Sequence, residues 1–237
     1  MAFFSKFLRS FKCIRLNDKN IVNGYLLEHL LIGSMYAEQQ SAYLNSYETG
    51  LNKSDITKLV ETYWEISDQN QAIEILQSLH NRNQDENLDI VFEAFEKSEN
   101  YVDILRSNLS NEDGVFEYYL DLFRKLKNVV PELIEQKIIT DFPQLKKAKD
   151  SGWNYGRSVF LARCCYELDY ISEKELIEYL AKSHKELKKY CSTWKEYTTS
   201  YIFGRAIWGG GSNNGMVQIA NDLLNNNQSP LKNRMYI

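Results

Sequence analysis

The sequence predicts an all-α protein, a compact multi-helix array with no significant sheet. Three observations carry that expectation. Apolar residues recur at spacings of three and four almost throughout, and no stretch sustains period-two alternation. Only three prolines and eleven glycines interrupt 237 residues. Helix-capping pairs at Asp68/Gln71, Ser172/Glu175 and Thr193/Glu196 each stand just ahead of an apolar run. There a side-chain oxygen meets the orphan backbone donors of a first turn.

The elements follow in order. Residues 1–16 hold Lys6, Arg9, Lys12 and Arg15 and no acid, with Phe4, Phe7, Leu8, Phe11 and Ile14 on one helical face. This predicts a basic aromatic helix, docked on the domain or lying on an anionic membrane. The charges argue against a secretory signal. Residues 17–237 read as one helical domain. Leu26, Leu27, Leu30, Leu31, Met35 and Tyr36 predict an amphipathic helix over 21–47. Ser54 is the expected N-cap of a helix through Ile56, Leu59, Val60, Tyr63 and Trp64. Asp68 opens the run Ala72, Ile75, Leu76, Leu79, and the polar stretch 80–88 reads as a loop. Helices are expected at 89–107 and 115–129, with Pro131 in the first turn of another. Residues 140–143 are a break. Ser172 opens a helix through Leu187, and Thr193 opens one ending near Trp208. Gly209 to Gly215 terminates that helix, and a short one follows at 216–225.

A hydrophobic content of 43% and an aromatic content of 13% are those of a folded domain. A net charge of −4 gives no global attraction to nucleic acid. No run of 18 apolar residues exists, so no transmembrane helix is expected. Cys13, Cys164, Cys165 and Cys191 form no C-x-x-C pattern, which points to a reducing, cytoplasmic compartment.

The candidate site lies between Trp153 and Trp208. Trp194, Tyr197, Tyr201, Gly204, Arg205 and Trp208 form one helical stripe. Gly204 inside a helix costs about 1 kcal/mol relative to alanine, so another backbone is expected close by. Trp153-x-x-Gly156-Arg157 and Tyr201-x-x-Gly204-Arg205 repeat one pattern: aromatic, two residues, Gly, Arg. The repeat predicts two helices crossing near their glycines, each sending an arginine into a shared aromatic environment. Arginine stacks on aromatic faces while its fork grips a carboxylate. Asp169, Glu173, Glu175 and Glu196 are the candidate carboxylates. Two readings stand: an architectural network of Trp153, Tyr155, Arg157, Glu175, Trp194, Tyr201, Arg205 and Trp208, or an anion pocket lined by the same side chains.

Catalytic signatures are missing. His29, His80 and His184 read as core or boundary residues, and no H-E-x-x-H, G-x-S-x-G or Cys/His metal spacing is present. No metal and no cofactor are expected.

W-N-Y-G-R at 153–157, the Tyr170-Ile171-Ser172-Glu173 step, T-W-K-E-Y at 193–197 and Y-I-F-G-R-A-I-W at 201–208 resemble the C-terminal signature of the bacterial domain of unknown function 1266 family. The stretch 59–76, L-V-E-T-Y-W-E-I-S-D-Q-N-Q-A-I-E-I-L, is similar to that family's earlier block. The resemblance spans about residues 55–210. In the family an Asp usually follows the first Trp; Asn154 stands here. The resemblance implies relatives and no reaction. The function expected is therefore a non-catalytic cytoplasmic protein-binding domain, with an immunity-type inhibitor of a bacterial toxin as its finer form. The alternative is an enzyme or small-anion binder using the Arg/Tyr/Trp pocket.

Overall fold

Helix α9 (Ser151–Glu167) is buried on nearly every side, and a helix enclosed all round shows little amphipathic pattern. It is the axis of the fold. The computed structural model describes residues 14–82, 85–110, 112, 114–209 and 213–237. Around α9 pack α2 (Ser34–Gln40), α4 (Gln69–Asn81), α10 (Glu173–Leu187) and α11 (Trp194–Gly204). α1 (Gly24–Leu31) leans on α10, and α12 (Asn214–Asn225) on α2 and α11. A second group, α5 (Asn87–Glu96), α6 (Tyr101–Asn108) and α7 (Val115–Glu135), packs within itself. Phe92 of α5 joins it to Phe203 of α11, ring centres 6.0 Å apart. α3 (Lys53–Thr57) and α8 (Pro143–Ala148) are short connectors. The chain is all-α: among the described residues the one β feature is an isolated bridge, Thr193 with Tyr236.

Two segments wind as π-helix, Lys58–Tyr63 after α3 and Arg205–Gly209 after α11. Such turns are rare and concentrate at functional sites.

The capping pairs form as the sequence suggests. Ser172 and Thr193 open α10 and α11 with reciprocal boxes. Asp68 accepts from Gln71 N, while the Gln71 side chain returns to Ser67 N rather than to Asp68.

Other boundaries differ, each for a tertiary reason. The helix expected over 21–47 is two helices and a loop. Tyr197 Oη takes the Ile32 carbonyl at 2.5 Å, and at Gly33 an added Cβ would stand 2.8 Å from Val159 of α9. α2 then ends at Ser41 in the left-handed conformation. The loop that follows is claimed by α9: Arg163 donates to the carbonyls of Tyr43, Tyr47 and Glu48 at 2.8, 3.3 and 2.8 Å. Glu167 accepts from Thr49 N and Oγ1. Arg15 adds bonds to Ser41 O and Gly50 O. Residues 1–13 of the expected N-terminal helix lie outside the described residues, and 14–16 are not helical, with Ile14 buried.

Asn52 rather than Ser54 precedes α3. His80 and Asn81 belong to α4 instead of a loop. The helix expected at 89–107 breaks at Lys97 into α5 and α6. Pro131 lies inside α7 and opens no new helix. Leu126, Val129, Val130 and Leu133 keep one buried face across it. At roughly 1.5–3 kcal/mol each, that burial outweighs the roughly 3 kcal/mol an interior proline costs.

Arg163 carries a positive charge in the core, 1% exposed, and burial pulls its pKa down to about 10. It stays because three carbonyls satisfy it. Arg163→Leu should strip all three of their donor and cost on the order of 3 kcal/mol in urea unfolding, with faster amide exchange in residues 43–49. A loss under about 0.5 kcal/mol would show that the loop holds without it.

Candidate functional site

α9 and α11 cross with almost no side chain between them. A Cβ on Gly152 would stand 2.5 Å from Tyr197 O and 2.8 Å from Tyr201 N, both backbone atoms. On Gly156 it would meet the Tyr201 ring at 2.9 Å, and on Gly204 the Trp153 Cβ at 2.3 Å. The two Gly-Arg elements therefore face each other across the crossing. Ser200 fastens its base: Oγ accepts from Gly152 N at 2.8 Å and bonds Lys149 O at 2.8 Å. Lys149 itself adopts φ 44°, ψ −133°, a strained conformation for a residue with a side chain. That turn sets Asp150 at the head of α9.

Trp153 occupies the middle of the crossing. The Tyr201 ring meets it edge-on at 5.1 Å. The Arg157 guanidinium lies over it at 4.3 Å, and Trp64, just past the first π-helical turn, lies 5.4 Å from the same guanidinium. Arg157 is thus held between two indoles, an arrangement its weakly hydrated plane tolerates. Trp64 Nε1 reaches Tyr36 Oη at 3.4 Å. Arg205, in the second π-helical turn, is buried near Tyr201. Tyr201 interacts electrostatically with both arginines.

The carboxylate of the cluster is Asp150, 5% exposed. It accepts from Trp208 Nε1 at 2.7 Å and from Asn154 Nδ2 at 3.1 Å. Asn154 Oδ1 in turn accepts from Arg157 Nη2 at 2.8 Å, and Arg157 Nε donates to Trp153 O at 3.2 Å. Positions 150, 154 and 157 share one face of α9, so a neutral amide relays between acid and base. Among the described residues no carboxylate lies within salt-bridge distance of Arg157. Burial disfavours both ions. It raises the Asp150 pKa, opposed by the bonds from Trp208 and Asn154 and by the charge of Arg157. It lowers that of Arg157 to about 10.

Of the eight side chains singled out from the sequence, Trp153, Arg157, Tyr201, Arg205 and Trp208 come together here. Tyr155 points elsewhere, its ring 5.4 Å from His80. Trp194 packs on Tyr197 at the start of α11. Glu175 and Glu196 spend their carboxylates on the caps of α10 and α11. The carboxylate expected from Asp169, Glu173, Glu175 or Glu196 is supplied instead by Asp150. Asp150, Tyr36 and Trp64 were not foreseen as members. The spacing of Asp150, Asn154 and Arg157 was the available signal for the first; nothing local marks the other two.

Elsewhere, His80 Nε2 lies 3.0 Å from both Ser158 Oγ and Ser183 Oγ, and burial pushes its pKa down to about 4. Burial raises Cys165 and Cys191 to about 12, and Cys164 further. A surface hollow of about 620 Å³ between α6 and α7, lined by Leu105, Arg106, Phe116 and Glu117 among others, shares no residue with the arginine cluster. Among the described residues no group of three or more His, Cys, Asp or Glu could hold a metal ion, and no helix is long and apolar enough to cross a membrane.

Asp150 gives a pH test. Its folded pKa lies above 3.8, so between the two values the folded state holds more protons than the unfolded, and stability falls as pH rises through that window. Asp150→Asn removes this contribution. In urea unfolding its stability relative to the parent should rise from pH 4 to pH 7, whatever the fixed cost of the substitution. A difference that shrinks over that range would mean the carboxylate is stabilised as an anion.

Comparison with known proteins places the chain. Over 56 residues, 24% of this chain and 24% of the other, it is 34% identical to the uncharacterized protein YbeR of Escherichia coli (strain K12). The match therefore spans about a quarter of that relative's length. No solved structure matches. The sequence pattern described as protein of unknown function (DUF1266) matches residues 60–235, three quarters of the chain and further toward its C-terminus than the motifs alone suggest, and the chain belongs to that family.

Proposed function

We propose that this is a non-catalytic binding protein whose contact face is the Trp64–Arg157–Trp153 stack. The finer reading is a cytoplasmic, immunity-type inhibitor that occludes a partner protein such as a toxin. The observation that carries the proposal is the stack itself. A partly exposed arginine sits between two partly exposed tryptophans with no carboxylate of its own chain in reach among the described residues. Trp, Tyr and Arg are the residues that dominate binding energy at protein interfaces. Tyr118, 55% exposed, extends the face by stacking on Trp208. The absence of catalysis is supported by the chemistry of the nucleophile candidates. Thiols held at pKa values near 12 carry almost no thiolate at neutral pH.

The chain carries −4 overall, yet Arg82 stands close enough to Arg157 to oppose its charge. The charged group of the stack is a cation, so an acidic group on the partner suits it. The alternative, an enzyme or small-anion binder, draws support from the same arginines.

The test is co-purification with the product of the adjoining reading frame. A complex should form, and Trp64→Ala should weaken it by about 30-fold or more, the scale of an interface hot spot. A complex that Trp64→Ala and Arg157→Ala leave equally tight would place the interface elsewhere. No complex, together with turnover of a small substrate, would support the alternative.

A further inference from the structure

Arg157 spends one edge of its guanidinium on its own helix. Nε donates to Trp153 O and Nη2 to Asn154 Oδ1. The outer edge, Nη1 with the second hydrogen of Nη2, has no acceptor among the described residues. Two phenols stand beside it. Tyr201 is fully buried, and its hydroxyl has no hydrogen-bond partner among the described residues. Tyr36 Oη accepts from Trp64 Nε1 but donates to no described residue. Each phenol interacts electrostatically with the other and with Arg157. These donors share one neighbourhood around Trp64 and Trp153, and no described residue accepts from them. Buried polar groups are seldom left so, and each such group costs about 1–3 kcal/mol.

We infer that this cluster is a carboxylate subsite, in which the outer edge of Arg157 grips the group and the Tyr36 and Tyr201 hydroxyls complete its coordination. The match is one of number and shape. An ionised carboxylate offers two oxygens with about four lone-pair sites and no donor. The cluster offers two parallel N–H groups and two O–H groups. The parallel pair suits a planar carboxylate gripped at both oxygens. The relay through Asn154 holds the guanidinium, and the Trp153 and Trp64 rings lie 4.3 and 5.4 Å from it, so little side-chain freedom is lost on binding. Arg157, Trp64 and Tyr36 are only partly buried, so side chains that bound the subsite touch solvent. The inference rests on the proposed binding face and names the group that face takes: the carboxylate of a partner's acidic side chain or chain end, or that of a free small acid.

The experiment titrates the full chain with acetate and benzoate, and with inorganic phosphate, at constant ionic strength in chloride. Tryptophan fluorescence and melting temperature are the readouts. The carboxylates should quench fluorescence saturably and raise the melting temperature, and phosphate should bind more weakly. Tyr201→Phe keeps the ring, removes an unpartnered hydroxyl and should fold at least as stably. It should weaken carboxylate binding by about tenfold, the scale of a bond to a charged group. Arg157→Lys, which keeps the charge and loses the fork, should weaken it by at least as much. Carboxylate affinity unchanged in both variants, no saturable response in the parent, or a preference for phosphate would each overturn the inference. If the carboxylates fail while a partner protein still requires Trp64 and Arg157, the binding face stands and the subsite falls. If the carboxylates bind and no partner does, the free acid is the ligand.

Discussion

The structure depends on the crossing of α9 and α11 at glycines. Gly152 admits the backbone of α11, Gly156 the Tyr201 ring, and Gly204 the stem of Trp153. Glycines at these positions make room for the two large aromatics of the crossing, Trp153 and Tyr201. Trp153 in turn carries the Arg157 guanidinium. The crossing also dictates the neighbouring chain: Tyr197, fixed on α11, takes the carbonyl that ends α1, and Val159 closes against Gly33.

Two arginines on the same helix, Arg163 buried and Arg157 half-buried, show two ways of holding a charge. Arg163 is satisfied by three loop carbonyls, which makes it a fastener for residues 41–50. Arg157 receives one carbonyl, one amide and two indole faces, which leaves part of its fork unspent. A direct ion pair with Asp150 would have consumed that capacity. Asn154 keeps acid and base apart while fixing both, and Trp208 anchors the acid from the second π-helical turn. Burying charge with incomplete pairing costs stability, and the strained Lys149 beside it adds to that cost.

Much of this was legible locally. Capping residues act on backbone donors within one turn, so Ser172 and Thr193 declare helix starts unaided. The twin Gly-Arg patterns declare a close crossing because a glycine inside a helix needs a reason. What was illegible depends on distant chain. The break at Gly33 is imposed by α9, more than a hundred residues on, and no composition shift announces it. Pro131 reads as a start by local rules, and the apolar face running past it decides otherwise. Asp150 carries no local mark of its role, because its partners, Asn154 and Trp208, are one turn and 58 positions away. Arg163 sits in an apolar run that hides its loop carbonyls. Trp64 and Tyr36 join the site from elements with no shared motif.

The central claim is that steric contact between Gly156 and Tyr201 at the crossing sets the architecture, and a double-mutant cycle tests it directly. Gly156→Ala in the parent should destabilise by about 1–3 kcal/mol, the cost of overpacking. In a Tyr201→Ala background the two ring contacts at 2.9 Å are gone and Tyr197 Oη at 3.0 Å remains, so the cost of the same change should fall by about 1 kcal/mol or more. A clearly smaller cost in the Tyr201→Ala background, measured by urea unfolding, is the predicted result. Equal effects of Gly156→Ala in both would contradict the account, because the glycine would then have been chosen for something other than the tyrosine it faces.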